Sequence, residues 1–408
     1  MKYMVLLGDG MADWPLPELD GRTPLEAART PNMARVVERG VLGRFCPIPE
    51  GLPAGSDIGN LSLFGYDPRT CFTGRAPMEA ANQGIPIADD EVAFRCNLVT
   101  LEGDTMKDFT SGHITSPEAA HIVATLNETI AKEFPVRFYP GVSYRHLAIV
   151  KAENEAQLAD LAALACTPPH DITGQPFAPH FPKGSGEALI ASMMHRSWEV
   201  LPDHRVNKER LATGNPAATS IWLWGQGKAP VMTPYAEKFG KSGAVVSAVD
   251  LVNGIGRMAG FEVLKVEGMT GWLDTNYAGK IGAALDALER VDFVYVHIEA
   301  PDETAHQGRA DLKIQAIEDY DAKIVGPALA WAEAHPETRI LIAPDHVTAI
   351  PTKTHAGGPV PFALCGPGIA PNGFHAYHER EAATSPVLVE RGHELVERML
   401  QQNVLNFA

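Results

Sequence analysis

Asp9, Ser56, Asp302, His306, Asp345, His346 and His355 are scattered over most of a 408-residue chain, yet their types suit one paired metal site. Six are carboxylates or imidazoles, donors that take Mn²⁺, Zn²⁺ or Mg²⁺ without thiolates. The seventh is a hydroxyl that a bound cation could convert into a nucleophile. Together they point to metal-dependent phosphoryl chemistry. Taken singly, each has an ordinary structural reading. An Asp-Gly after a strand makes a turn, an Asp-His at a strand end caps the next element, and a lone histidine is a surface or satisfied core residue. The weight lies in the ensemble.

Side chains so distant in sequence converge only if a sheet brings them together. Residues 3–7 (YMVLL), 292–298 (DFVYVHI) and 339–343 (RILIA) are apolar runs that read as buried strands. Asp9, Asp302 and Asp345-His346 lie just past their ends, where sites form in the crevice of an open α/β sheet. Asp302 and His306 are spaced i, i+4 and share one helical face. His355 lies in loop-like Thr-His-Ala-Gly-Gly. Pro31 to Glu38 has helical spacing, and Leu312 to Glu333 carries a longer helical period that Pro327 should kink or divide. Such alternation implies a parallel sheet covered on both faces.

Ser56 lies in Gly55-Ser56-Asp57-Ile58-Gly59-Asn60, before an apolar stretch of helical character. As an N-cap it would bond the first turn, with Asp57 favouring the helix dipole. As a nucleophile it would sit where backbone N–H groups bind a phosphate. Both readings need the same helix start, and the sequence leaves both open. Gly254-Ile255-Gly256 with Ala259 fits a loose dinucleotide-loop spacing, but it lies in a helix-like stretch and reads as close helix packing. His297 and Glu299 are either partners of a metal ligand or plain sheet residues.

The middle of the chain has a different texture. Ala93–Val99 and Tyr144–Val150 are strand-like, Pro117–Phe134 and Asn154–Leu164 helical, and Pro168–Gly186 reads as loop. Ser220–Gly225 (SIWLWG) resumes the style of the first domain, and Ala244–Gly260 has helix-like spacing. The expected division is a discontinuous metal-binding domain, 1–70 with 216–408, interrupted by an α+β insertion, 71–215. Length alone favours two domains.

Composition is that of an ordinary globular protein, 45% hydrophobic and 21% charged. No apolar run approaches the ~20 residues of a membrane helix. A cytoplasmic protein is expected, since Tyr3–Leu7 is too short for a signal h-region. Five widely spaced cysteines without a CxxC pair argue against disulfides or a thiolate zinc site. A net charge of −16 excludes nucleic acid and anionic membrane as partners. An anionic substrate would have to be attracted locally.

The strings MVLLGDGMADWP, LPAGSDIGNLSLFGYDP, TGRAPMEAA, HIEAPDETAHQG and APDHVTAIPTKTHAGGPVPF resemble the archaeal-type cofactor-independent phosphoglycerate mutases, of the alkaline phosphatase-like metalloenzyme superfamily. The resemblance runs over nearly the whole chain. It implies an alkaline phosphatase-like α/β core, with a parallel-rich central sheet flanked by helices, and an inserted α+β domain that closes over substrate. It implies two divalent metals, Mn²⁺ first and Mg²⁺ or Zn²⁺ as alternatives, and no 2,3-bisphosphoglycerate. By motif, Asp302, His306 and His355 would hold one metal, and Asp9, Asp345, His346 and Ser56 the other.

The implied substrate is a small phosphorylated hydroxy-acid, whose two anionic groups suit guanidinium forks. Arg75, Arg95, Arg145, His113, Asn207 and Lys208 are the candidates, and the resemblance favours Arg75, Arg145 and His113. The expected reaction interconverts 3-phosphoglycerate and 2-phosphoglycerate through a phosphoserine at Ser56. Asp57 is the first position to test as proton carrier, and domain closure would keep water from the phosphoserine. A metal-dependent phosphatase, or a phosphotransferase such as a proposed homoserine kinase, would use the same seven residues. A binding protein without activity would lack one of them.

Overall fold

The structure is a computed structural model that describes residues 1–400. It divides into two compact units. One is formed by Met1–Phe72 together with residues from Val231 on, the other by Thr73–Pro230.

The first unit is built on an eight-stranded sheet. From one edge its strands are Leu388–Val389, Gly40–Phe45, Val360–Cys365, Thr338–Ala343, Lys2–Gly8, Phe293–Ile298, Gly243–Val246 and Glu262–Leu264. The last five run parallel to one another, while Val360–Cys365 is antiparallel to both its neighbours. Lys2–Gly8 lies at the centre, and every residue after Lys2 is buried. A strand covered on both faces has no solvent side, which is why YMVLL is continuous rather than alternating. Core residues from the central strands pack against Ile281, Ala284 and Leu288 of helix Tyr277–Leu288, and against Ala316, Ile317 and Tyr320 of helix Ala310–Tyr320.

The long helical period after Leu312 is divided, as Pro327 requires. Helix Ala310–Tyr320 passes through one π-helical turn, Asp321–Val325, into Gly326–Ala334. Proline at 327 has no N–H to give, and its ring crowds the preceding turn, so the ladder widens just before it. Pro31–Glu38 is a helix as expected. Residues 244–260 are corrected, because Gly243–Val246 is a strand and only Asp250–Met258 is helical. A Cβ on Gly256 would lie 2.5 Å from Val245 Cγ1, so Gly256 serves helix-on-strand packing.

The second unit is an antiparallel sheet. Its central strand, Glu91–Glu102, pairs with Arg145–Lys151 on one side and Ser220–Gly227 on the other. Thr105–Asp108 and Val136–Tyr139 complete it. Phe94, Cys96 and Leu98 face a core shared with helices Ser116–Glu128 and Glu187–Val200. Ala93, Leu147 and Ile149 face Ala76 and Ala80 of helix Arg75–Gln83. The expected return to the first domain at 216 is corrected here. SIWLWG is a strand of the insertion, and the chain re-enters the first unit only at Val231. Ser220–Trp224 are all buried, so their sequence imitates a strand of a two-sided parallel core.

Candidate metal centre

The carboxyl ends of the central strands deliver the acidic and imidazole side chains. Asp9 follows Lys2–Gly8, and Asp345-His346 follow Thr338–Ala343. Asp302 and His306 lie on Ala300–His306, the helix that leaves Phe293–Ile298. His355 is on a short strand, Thr354–Ala356, directly opposite Thr348 of Val347–Ala349. His306 Nε2 lies 3.1 Å from Asp302 Oδ2 and 3.0 Å from His355 Nε2. His346 Nε2 lies 3.4 Å from Asp9 Oδ1, 3.5 Å from Asp345 Oδ2 and 3.2 Å from Ser56 Oγ. All seven residues therefore converge on one pocket, with Asp9, Asp345 and His346 at its buried floor and His306 and His355 at its half-exposed rim.

Two donor groups are distinct. One ligand atom each from Asp302, His346 and His355 lies within 4.8 Å of the others, and so does one each from Asp9, Asp345 and His346. His346 thus stands between the two groups, where motif alone assigned it to one. Ser56 is the first residue of helix Ser56–Leu63; the N-cap is Gly55, and no side chain caps the helix. The capping reading falls, and the Ser56 hydroxyl is left facing the pocket. Asp57 turns back on its own helix, where Oδ1 accepts Ile58 N–H at 2.9 Å.

Charge balance tests whether this pocket fits cations. Burial, then the carboxylates of Asp345, Asp302 and Glu299, push the Asp9 carboxyl well above its ordinary range. Burial, with Glu303 and Asp302, pushes Glu299 up to about 8. Burial acts on Asp302 in the same sense, but hydrogen bonds from His306 and His355 hold it well below the usual carboxylate range. The bond to Asp302 raises His306 to about 9. Buried Lys280 lies near Glu299, and burial lowers its amine to about 8. Asp9 Oδ1 is buried and accepts no hydrogen bond. So many crowded carboxylates, one with an oxygen unsatisfied, fit divalent cations of the oxygen- and imidazole-liking kind.

Other residues hold this arrangement in place, among them His297, which the sequence left as either a partner of a metal ligand or a plain sheet residue. Asn60, one turn after Ser56, is fully buried. Its amide donates to Ser56 O and to Asp345 Oδ2, both at 2.8 Å, and its oxygen accepts Tyr295 O–H at 2.8 Å. A Cβ on Gly59 would lie 2.8 Å from Asp345 Cβ, so only glycine lets this helix lie against the Asp345 segment. His297 Nε2 lies 2.9 Å from Asp9 Oδ2, and its Nδ1 lies 3.1 Å from Ser247 Oγ. Buried Lys313 donates to Asp13 Oδ2, Ala12 O and Thr348 O. An i+4 asparagine and a basic residue on an amphipathic helix carry no sequence signal of such a role.

In the second unit, Arg75, Arg95 and Arg145 gather on one sheet face. Arg95 lies over the Trp224 ring at 4.2 Å, with its Nε 3.1 Å from Glu79 Oε2. Arg75 Nε is 3.7 Å from the other oxygen of Glu79. Burial, opposed by Glu79 and reinforced by Arg75 and Arg145, lowers Arg95 to about 10. Arg75 and Arg95 share the Glu79 carboxylate and Arg145 lies close enough to act on Arg95, leaving a net positive patch. Arg145 lies over Tyr144, whose ring also meets His113 and Phe109. Ser111, Gly112 and His113 have φ of 48°, 63° and 50°, a left-handed run that presents the exposed His113 ring. His170 joins from the expected loop, edge-on to Phe109 and Trp224, with Asp171 Oδ1 3.6 Å from its Nε2. Asn207 is not part of this patch. It is buried and bonds Leu201 O and Ala218 O, and Lys208 pairs with Asp203.

Fold and pocket define the class, an α/β enzyme with a carboxylate- and imidazole-lined pocket, of a kind that suits divalent metals, at the carboxyl ends of a mostly parallel sheet. A family model described as 2,3-bisphosphoglycerate-independent phosphoglycerate mutase matches residues 37–207. A probable mutase of that name from Geobacter sulfurreducens is 48% identical, over 98% of this chain and 100% of its own. The mutase of Methanothrix thermoacetophila is 47% identical over 98% of this chain and 100% of its own. Among solved structures, a Pyrococcus horikoshii protein superposes with a TM-score of 0.82 at 31% identity, over 100% of this chain and 98% of that one. The cofactor-independent phosphoglycerate mutase of Thermoplasma acidophilum does so at 0.66 and 26% identity, over 98% of this chain and 100% of that one. The chain belongs to the 2,3-bisphosphoglycerate-independent phosphoglycerate mutases.

Proposed function

We propose that the protein interconverts 3-phosphoglycerate and 2-phosphoglycerate, with Ser56 as the phosphoryl carrier. The observation that carries this reading is the Ser56 hydroxyl at the first position of its helix, 3.2 Å from His346 Nε2. Ser56 Oγ bonds to phosphorus as the bond from phosphorus to the 3-oxygen breaks, and the serine proton goes to the departing 3-hydroxyl. In the second half the 2-oxygen attacks phosphoserine, loses its proton and restores the serine. Two divalent ions, Mn²⁺ by preference, would be held by Asp302, His306 and His355 and by Asp9, Asp345, His346 and Ser56; bound there, they lower the pKa of the serine hydroxyl and neutralise the phosphoryl oxygens.

The chain's own groups do the rest. The start of helix Ser56–Leu63 would bind the phosphoryl group through backbone N–H groups. Arg75, Arg145 and His113 bind the acid, with buried Arg95 fixed between Glu79 and Trp224. Asp57, next to the serine in sequence, is the first carboxylate to test as the carrier of the proton between hydroxyls, and Asp57→Asn tests it by kcat. Exclusion of water while phosphoserine exists is what distinguishes a mutase from a phosphatase. The relatives' names support this reading over a kinase or phosphatase.

The five cysteines are all free, which supports a reducing, cytoplasmic setting. Among the described residues no helix is long and apolar enough to cross a membrane. The test is to quench the protein with 3-phosphoglycerate and Mn²⁺ and map phosphate by mass spectrometry. Phosphate on Ser56, absent from Ser56→Ala, is the expected result. Turnover without it, or turnover by Ser56→Ala, overturns the carrier role.

A further inference from the structure

We propose that Thr348 is a positioning residue that fixes the ring tautomer of His346 and ties the two donor groups of the metal pocket to each other. The proposal rests on the two-metal reading. Thr348 is fully buried. Its hydroxyl donates to Asp302 Oδ1, and the same oxygen lies 3.1 Å from His346 Nδ1. A hydroxyl has one proton. An ionised Asp302 can only accept, so that proton is committed to Asp302. The contact with His346 then requires Nδ1–H to donate to Thr348 Oγ1. With Nδ1 protonated, the neutral ring presents a lone pair at Nε2, the atom that faces Asp9, Asp345 and Ser56. One threonine therefore makes His346 a ligand and holds Asp302, of the other group, at a set distance from it.

The backbone around Thr348 keeps this oxygen in place. Its N–H donates to Ala12 O at 3.2 Å, and its carbonyl accepts from Lys313 Nζ at 2.7 Å. Lys313 also bonds Ala12 O at 3.1 Å and Asp13 Oδ2 at 2.8 Å. The loop after Asp9 and the segment after His346 are thus fastened to one buried amine. Gly10, at φ +54°, lies against the threonine, and a Cβ there would meet both Thr348 Oγ1 and Asp302 Oδ1. The second glycine of Gly-Asp-Gly leaves room for the Thr348–Asp302 bond.

The test compares the full chain with Thr348→Val, which keeps the shape and removes the hydroxyl, and with Thr348→Ser, which keeps the hydroxyl. Zn²⁺ titration by calorimetry should give two ions per wild-type chain. In the valine variant affinity should fall roughly 10–100-fold, the usual effect of losing a group that orients a ligand, and the serine variant should recover most of it. In the Zn²⁺-loaded protein labelled with ¹⁵N-histidine, His346 should show a protected Nδ1–H in wild type and Thr348→Ser. That signal should be lost to exchange in Thr348→Val, and His346→Gln assigns it. A folded valine variant with unchanged affinity and an unchanged Nδ1–H signal overturns the proposal, as does a serine variant as impaired as valine. Fewer than two Zn²⁺ per wild-type chain overturns the two-metal reading itself, and is seen before any variant is made.

Discussion

Replacing Asn60 by alanine should destabilise the first unit far more than an average substitution, because one buried amide joins three segments. Its bond to the Asp345 carboxylate is charge-assisted and contributes ~2 kcal/mol, and the bonds to Ser56 O and from Tyr295 O–H contribute ~1 kcal/mol each. The sum is about 4 kcal/mol, before any term for leaving the Tyr295 hydroxyl in an apolar site. Urea denaturation in EDTA, followed by circular dichroism, measures the loss as a shift of midpoint at constant m. Asn60→Asp keeps the size and the Tyr295 bond but sets a carboxylate against Asp345, so without metal it should be at least as unstable. A loss below ~1 kcal/mol for Asn60→Ala would refute the claim that this amide fixes Asp345 to the Ser56 helix.

Glu379 gives a pH dependence of definite sign. Burial, opposed by hydrogen bonds from Thr23 Oγ1 and Asp13 N–H, pushes its carboxyl up to about 7. A raised carboxyl stabilises the fold fully below its unfolded pKa of ~4.3, and that contribution is lost as pH rises through 7. Glu379→Gln, which mimics the protonated form, should flatten this fall and be more stable than wild type at pH 8 by a few kcal/mol, on the order of ~3; an unchanged slope in urea titrations at pH 5 and 8 would count against it. Gly10→Ala should lose metal, at least ~10-fold in affinity by plasma emission after dialysis, since its Cβ meets Thr348 and Asp302. Arg145→Ala should raise KM for 3-phosphoglycerate ~10–100-fold, the equivalent of one charge-assisted contact, with little change in melting. Arg95→Ala should raise KM and also lower the melting temperature, because that side chain is packed between Trp224 and Glu79.

The central strands were legible because both of their faces are covered, so YMVLL and ILIA carry unbroken apolar runs, and Asp9, Asp345 and His346 follow at their ends. The same property misled at SIWLWG, where a buried antiparallel strand of the insertion has the same composition. The seven pocket residues could be read from type and motif, but not the sharing of His346 between two donor groups, which is a matter of distances. Thr348, Asn60 and Lys313 were invisible for a physical reason. Each works through polar side-chain atoms in a buried position, and sequence records the residue type without its partners. His170 was hidden in a Pro- and Gly-rich stretch with no periodicity, where only the aromatic rings it packs against give it a place. Ser56 could be read as cap or nucleophile until the structure put Gly55 at the cap position.

The most direct measurement is an enolase-coupled assay of 3-phosphoglycerate with Mn²⁺ and no 2,3-bisphosphoglycerate, run on wild type and Ser56→Ala. The account predicts turnover by wild type that EDTA abolishes and Mn²⁺ restores, and none by Ser56→Ala while its metal binding remains measurable. Turnover that depends on added 2,3-bisphosphoglycerate, survives EDTA, or persists in Ser56→Ala would contradict it.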